Sequence, residues 1–184
     1  MIDLEKIVHS RPMLIIFSGI PGVGKTTLSR LLARELRAVY LRDDSMAPAI
    51  MAAYGEDIAD VSYRVAHGVA RDNLRLGQTV VSDSVNDVDI TRDAWRDVAL
   101  GVDAPLLEIE IVCSNVTEHR HRVETRLSDV PGSRLPSWEE ICNRRPEVWR
   151  REHVVIDTAN RAVEDCLTDL RSHISSEARC IQNR

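Results

Sequence analysis

The chain has 184 residues, is 43% hydrophobic and 29% charged, and carries a formal net charge of −5. That length fits one domain with a sizeable buried core. The acidic balance argues against broad nucleic-acid binding, and no apolar run reaches the length of a membrane span.

From the amino terminus, Met1-Ile2-Asp3-Leu4-Glu5-Lys6 is charged and lacks the apolar core of a signal peptide. The run Met13-Leu14-Ile15-Ile16-Phe17 reads as a buried parallel strand. Gly19-Ile20-Pro21-Gly22-Val23-Gly24-Lys25-Thr26 follows and satisfies G-x-x-x-x-G-K-[ST], the Walker A pattern, at every fixed position. Residues 25–37 then read as a helix, with Leu28, Leu31, Leu32 and Leu36 on one stripe. A strand, a glycine-rich turn and a helix N-terminus together cradle phosphate, because backbone N–H groups and the helix dipole converge on the anion. Lys25 would reach the β- and γ-phosphates of a nucleoside triphosphate, the Thr26 hydroxyl would ligate Mg²⁺, and Thr27 continues the cradle into the helix.

Residues 38–41 predict a second strand, ending at Asp43 and Asp44, which would lie beside the phosphate loop. A carboxylate there can accept the proton of an attacking hydroxyl, and an N-cap at Asp44 is the competing structural role. Residues 45–76 predict one short and one longer helix, offering Met46, Met51, Tyr54, Tyr63 and His67 as the wall of an acceptor site. Thr79-Val80-Val81 predicts a third strand running into Ser82-Asp83, where Asp83 would hold Mg²⁺ through water. Residues 91–100 predict a helix and 106–112 a fourth strand.

Residues 116–127 predict a helix rich in arginine and histidine. Arg122 and Arg126 share a face, as cations that close over a γ-phosphate should. His119 and His121, two apart, point to different faces and do not make a metal site. The Pro131-Gly132 break completes a mobile lid, about 116–136, and Ser137-Trp138-Glu139-Glu140 has capping-box spacing. A fifth strand at 153–156 and a helix at 162–173 close the domain, with residues 175–184 expected as a loose tail. Trp95, Trp138 and Trp149 are expected as core anchors. Cys113, Cys142, Cys166 and Cys180 have neither C-x-x-C pairing nor zinc spacing, which predicts reduced thiols in a cytoplasmic protein.

Strands alternating with helices predict an α/β fold of the P-loop NTPase type: a three-layer sandwich on a five-stranded parallel sheet, with an arginine-bearing helical lid. One domain is expected over residues 1–174. From residue 14 to about 173 the chain resembles the small P-loop kinases, especially those related to polynucleotide 5′-hydroxyl kinases. The matching residues are Gly19–Thr26, Arg42-Asp43-Asp44, Val80-Val81-Ser82-Asp83-Ser84-Val85-Asn86, Arg92, Trp95 and the Arg122/Arg126 pair. The resemblance implies Asp43 as general base, and Lys25 and Arg126 as stabilisers of the transferring phosphoryl. It implies Arg122 as a lid residue on the nucleotide, with adenine near Arg122 and the Asp157-Thr158-Ala159-Asn160 turn, and Asn86 beside the acceptor.

One position departs from that pattern. Polynucleotide kinases carry an arginine three residues after the catalytic aspartate, and here it is Met46. The expectation is therefore an ATP- and Mg²⁺-dependent kinase, monomeric or homodimeric, acting on a hydroxyl of a small molecule such as a sugar, nucleoside or antibiotic. A polynucleotide 5′-hydroxyl kinase is the first alternative, and an NTP-hydrolysing regulatory ATPase the second. The chain lacks the N-K-x-D motif of guanine specificity.

Overall fold

The computed structural model describes residues 11–55, 60–131 and 134–182. The charged amino-terminal segment, the Gly132-Ser133 step of the expected break and the last two residues of the expected tail lie outside them.

Five strands form one parallel sheet: β1 (Leu14–Ser18), β2 (Val39–Arg42), β3 (Val80–Asp83), β4 (Leu106–Val112) and β5 (Val154–Asp157). Their order is β2-β3-β1-β4-β5. The helices between them are α1 (Lys25–Glu35), α2 (Asp43–Tyr54), α3 (Val61–Arg75), α4 (Asp89–Leu100), α5 (Val116–Thr125), α6 (Trp138–Cys142) and α7 (Val163–Gln182). The α/β architecture predicted from alternating apolar runs is present, with all strands parallel.

β1 is buried along its whole length, as a central strand covered on both faces must be. Its alternating side chains feed two cores. Met13, Ile15 and Phe17 pack with Leu28, Leu32 and Leu36 of the first helix region and with Leu167, Leu170 and Ile174 of α7. Leu14 and Ile16 pack on the opposite face with Ala66, Ala70 and Leu74 of α3 and Trp95 and Val98 of α4. Leu31, expected on the buried stripe, lies at its flank and is exposed.

Three readings need correction. The carboxyl-terminal helix does not give way to a loose tail at residue 175. It continues to Gln182, because Ile174 and Ala178 extend the apolar face begun by Leu167 and Leu170. Asp44 is not a helix cap: Arg42 holds the cap position, and Asp43 and Asp44 form the first turn of α2. Of the tryptophans only Trp95 is a core residue, at 1% exposure. Trp149 is half-buried, stacked on His153 and covered by the Arg92 guanidinium 4.3 Å from its ring centre. Among the described residues Cys113, Cys142 and Cys166 are free thiols, and no helix is long and apolar enough to cross a membrane.

The strand order decides where chemistry can occur. β3 lies between β1 and β2, and the register sets Asp83 beside both Phe17 and Arg42. The ends of three strands thus converge beside the turn that enters α1. Trp95→Ala should cost about 3–5 kcal/mol of stability, the range for removing a large aromatic from a core. Chemical denaturation checks this, and Trp95→Phe should cost much less.

Candidate active site

The phosphate loop is shaped by backbone angles that only glycine adopts without strain. Gly19, Gly22 and Gly24 have φ of +141°, +92° and +94°. A Cβ on Gly19 would sit 2.4 Å from the Ile111 carbonyl oxygen, and one on Gly22 would sit 2.4 Å from Val123 Cγ2. The glycine spacing is therefore set both by local φ and by the close approach of β4 and α5.

Two side chains hold loop carbonyls. His119 Nε2 donates to the Pro21 oxygen at 2.9 Å, and Thr158 Oγ1 donates to the Val23 oxygen at 2.8 Å. Peptide planes with carbonyls engaged from behind present their N–H groups to the concave side, which is the requirement of an anion cradle. His119 is itself braced edge-on by Trp138, with ring centres 5.1 Å apart. Arg122 donates to Thr158 Oγ1 at 2.8 Å and to Thr158 O at 3.1 Å, and its other partner is Glu118. Arg122 and the turn after β5, near which adenine is expected, are thus joined by direct hydrogen bonds at the mouth of the loop, beside Gly24.

Lys25 opens α1 and donates to Asp83 across the end of the sheet. Both side chains are buried, at 8% and 1% exposure. Tyr40 donates its hydroxyl to Asp83 Oδ2 at 2.6 Å. Burial alone would raise the Asp83 carboxyl, but the Lys25 charge and the hydrogen bonds from Lys25, Tyr40 and Thr26 outweigh it and hold it below the usual carboxylate range. Burial, and then the Asp83 charge, push the Tyr40 phenol upward, so Tyr40 remains a donor. Thr26 and Asp83, the two expected metal residues, therefore meet as a hydroxyl and an ionised carboxylate, the hard oxygen donors that suit Mg²⁺.

Asp43 follows β2 directly. Its carboxyl is pushed up, chiefly by burial, with Asp44 and Asp83 adding to the rise and Ser62 and Lys25 opposing it. Its Oδ1 is buried with no hydrogen-bond partner. Asp44 is exposed and lies 3.7 Å from Arg42. Tyr63 is pushed up to about 12, by burial first and then by the Asp43 charge. Tyr63 thus lies within the electrostatic reach of Asp43.

Two expected acceptor residues are placed differently. Met46 packs on the cluster around Trp95. Asn86 is 1% exposed, at a left-handed φ of +47°. Its side-chain Nδ2 donates to Phe17 O at 3.0 Å and Ser84 Oγ at 3.2 Å, and its backbone carbonyl accepts from Arg92 Nε at 2.9 Å. Asn86 is turned inward, to the corner after β3, because that corner's backbone needs a partner away from water.

A cavity of about 620 Å³ lies over the cradle, walled by the loop, Arg30, Arg42, Asp44, Arg122, Arg126 and Asp129 among others. Arg126, just past the end of α5, is half-buried, and burial pulls its guanidinium below the usual arginine range against the pull of Asp44. Its Nε has no partner. A desolvated cation facing a phosphate cradle is a group built to meet an anion. Sequence reasoning missed His119, Tyr40 and Asp129. None carries a local signal, since each acts on residues at least 43 positions away.

Comparison with known proteins follows the same lines. Among solved structures, a candidate kinase from Chloroflexus aurantiacus superposes with a TM-score of 0.69 at 22% identity, covering 88% of this chain and 98% of that one. APS kinase from Mycobacterium tuberculosis, in complex with AMPPNP and APS, gives 0.65 at 17% identity, covering 90% and 98%. A gluconokinase from Sinorhizobium meliloti gives 0.64 at 16% identity, covering 93% and 96%. At these identities the likeness establishes the fold. No curated protein matches the sequence. The family model of the AAA domain matches residues 14–144, from the start of β1 to just beyond α6, and the chain belongs to that family.

Proposed function

We propose that the chain is an ATP- and Mg²⁺-dependent phosphotransferase that moves the γ-phosphoryl group to a hydroxyl of a small molecule. The observation that carries this reading is the meeting of a phosphate cradle with Asp43, a half-buried carboxylate whose Oδ1 is unpartnered. A hydrolysing switch needs only to orient water. A raised carboxylate at a strand end beside Ser62 and Tyr63 suits the capture of a proton from an organic hydroxyl. The names of two structural neighbours, gluconokinase and APS kinase, support a small-molecule acceptor.

In this reading the acceptor oxygen attacks the γ-phosphorus, its proton passes to Asp43, and the bond to the β–γ bridging oxygen breaks to release ADP. Lys25 leaves Asp83 for the β- and γ-oxygens. Arg126 faces the charge that spreads over the equatorial oxygens in flight. Thr26 and Asp83 would hold Mg²⁺, directly and through water, and the ion would neutralise charge between the β- and γ-phosphates. Arg122 and the Thr158 turn would flank the nucleoside. Met46, apolar and half-buried against the Trp95 cluster, offers no clamp for an acceptor phosphate, which disfavours the polynucleotide alternative.

Asp43→Asn should lower kcat by about two to four orders of magnitude with little change in KM for ATP, while Asp44→Asn does much less. Steady-state kinetics on the acceptor, found by mass spectrometry of phosphate adducts, check the ranking. The base works only when ionised, so kcat should rise with pH through a value above that of an ordinary aspartate. Folding raises this pKa, so stability is lost as pH climbs through the same window. Asp43→Asn should therefore be at least as stable as the parent at neutral pH. Equal, small kinetic losses for both substitutions would sink the assignment.

Lys25→Met should abolish transfer and also destabilise, because it leaves the Asp83 carboxylate buried without its cation, a loss of about 3–5 kcal/mol. Adding Asp83→Asn should restore stability but not activity. Thermal melts paired with a transfer assay separate the two effects.

A further inference from the structure

Phosphoryl transfer as outlined gives no role to Asp129, a charged residue of the cavity wall. Asp129 lies three residues beyond Arg126, in the loop from α5 to α6. Its Oδ2 accepts from Arg30 Nη2 at 2.5 Å and from Arg42 Nη1 at 3.0 Å. Its Oδ1 accepts from Arg42 Nη2 at 2.9 Å. Arg42 thus grips the carboxylate with both arms of its fork, the strong geometry for this pair, and its side chain is only 13% exposed. These arginines, Arg42 above all, hold the Asp129 carboxyl far below the usual carboxylate range.

The two arginines come from different, well-anchored elements. Arg30 is on α1, five residues past Lys25, and α1 is fixed by buried Leu28 and Leu32. Arg42 ends β2, immediately before Asp43. One carboxylate therefore ties the loop to both elements that carry the proposed catalytic groups. Ser128 and Val130 close a local turn around it, through hydrogen bonds of 3.0 and 3.1 Å.

Arg126, by contrast, has almost nothing of its own to hold it. Among the described residues it makes no ion pair, its Nε is unpartnered, and its Nη2 lies 3.5 Å from the Pro136 oxygen, at the limit of a hydrogen bond. Its position follows from its backbone, and three residues of chain reach no more than about 10 Å. Fixing Asp129 fixes the range open to Arg126.

We propose that Asp129 is a positioning residue whose ion pairs with Arg30 and Arg42 latch the lid over the cavity and hold Arg126 against the phosphate cradle. The proposal rests on the phosphotransferase reading of that cavity. Asp129 and Arg30 are about half exposed, with relative accessibilities of 50% and 52%, so the latch is weakened by salt.

The test uses the full chain, Mg²⁺ and a fluorescent ATP analogue. Release is followed by stopped flow, and hydrogen exchange is followed over residues 126–131. Asp129→Asn keeps the shape and removes the charge. It should speed release about tenfold, the equivalent of losing one partly shielded ion-pair network. It should also lower exchange protection over 126–131 and lower the melting temperature only slightly, because the carboxylate is half exposed. Asp129→Glu should recover part of the slow release, and Arg30→Gln should reproduce part of the loss. Added salt should accelerate release from the parent more than from Asp129→Asn. In an Arg126→Ala background, Asp129→Asn should add little, because the residue it positions is gone. Unchanged release and protection in Asp129→Asn, or full additivity with Arg126→Ala, overturns the latch while nucleotide binding by the parent keeps the phosphotransferase reading. Failure of the folded parent to bind the analogue removes both.

Discussion

The pair between Lys25 and Asp83 is the contact on which the rest of the site depends. Two unit charges are buried at the end of a parallel sheet, where desolvation is costly unless each has a partner and hydrogen bonds fill the remaining positions. Tyr40 fills one of those positions on Asp83. The pair exists because β3 lies beside β1, so that the residue closing β3 faces the first residue of α1. Any strand order that separated β1 from β3 would leave the buried Asp83 carboxylate without its cation. In the proposed reaction the same pair has a second use: donor phosphates offer Lys25 a better partner, and Asp83 is released with its charge intact for a metal ion.

Around this pair the polar groups divide by direction. Behind the phosphate loop, His119 and Thr158 engage the carbonyls of Pro21 and Val23. In front, the cavity wall carries arginines, of which Arg122 is satisfied by Thr158 and Glu118 while Arg126 is unsatisfied. A satisfied cation serves as a fixed wall. A half-buried cation with an unpartnered Nε is available to a charge that arrives, and partial burial strengthens their interaction. The helix α5 supplies both faces: His119 and Val123 press on the loop from one side, and Arg122 looks over its mouth.

The acceptor side is built on a different principle. Asp43 gains no cation within ion-pair distance among the described residues, and burial raises its carboxyl instead of lowering it. Asp83, at the end of the strand next to β1 and in contact with Lys25, is shifted the other way. Two aspartates pushed in opposite directions by their surroundings suit the two roles proposed for them, Asp43 as proton acceptor and Asp83 as a lasting anion. The chain reaches that separation with ordinary side chains, by setting one beside a buried lysine and the other beside a serine and a tyrosine.

The sequence by itself determined the elements that rest on local pattern. The continuous apolar run of β1, the glycine positions whose φ no other residue tolerates, the capping box at Ser137 and the β4 boundaries were all legible. So were the positions of Lys25 and Thr26 at the start of α1, from the glycine-loop motif, and of Asp43 and Asp83 at strand ends, where an apolar run meets a charged residue. Tertiary structure decided the rest. That Asn86 turns inward, that Met46 joins the Trp95 cluster and that α7 runs on through Ser175 depend on which surfaces meet, and periodicity does not report that. Asp129 is the clearest case: its partners lie 99 and 87 residues away, and nothing within its own segment distinguishes it from a solvated loop aspartate. Local conformation is written in neighbouring residues, whereas charge pairing across a lid is fixed only once the sheet has set its strands side by side.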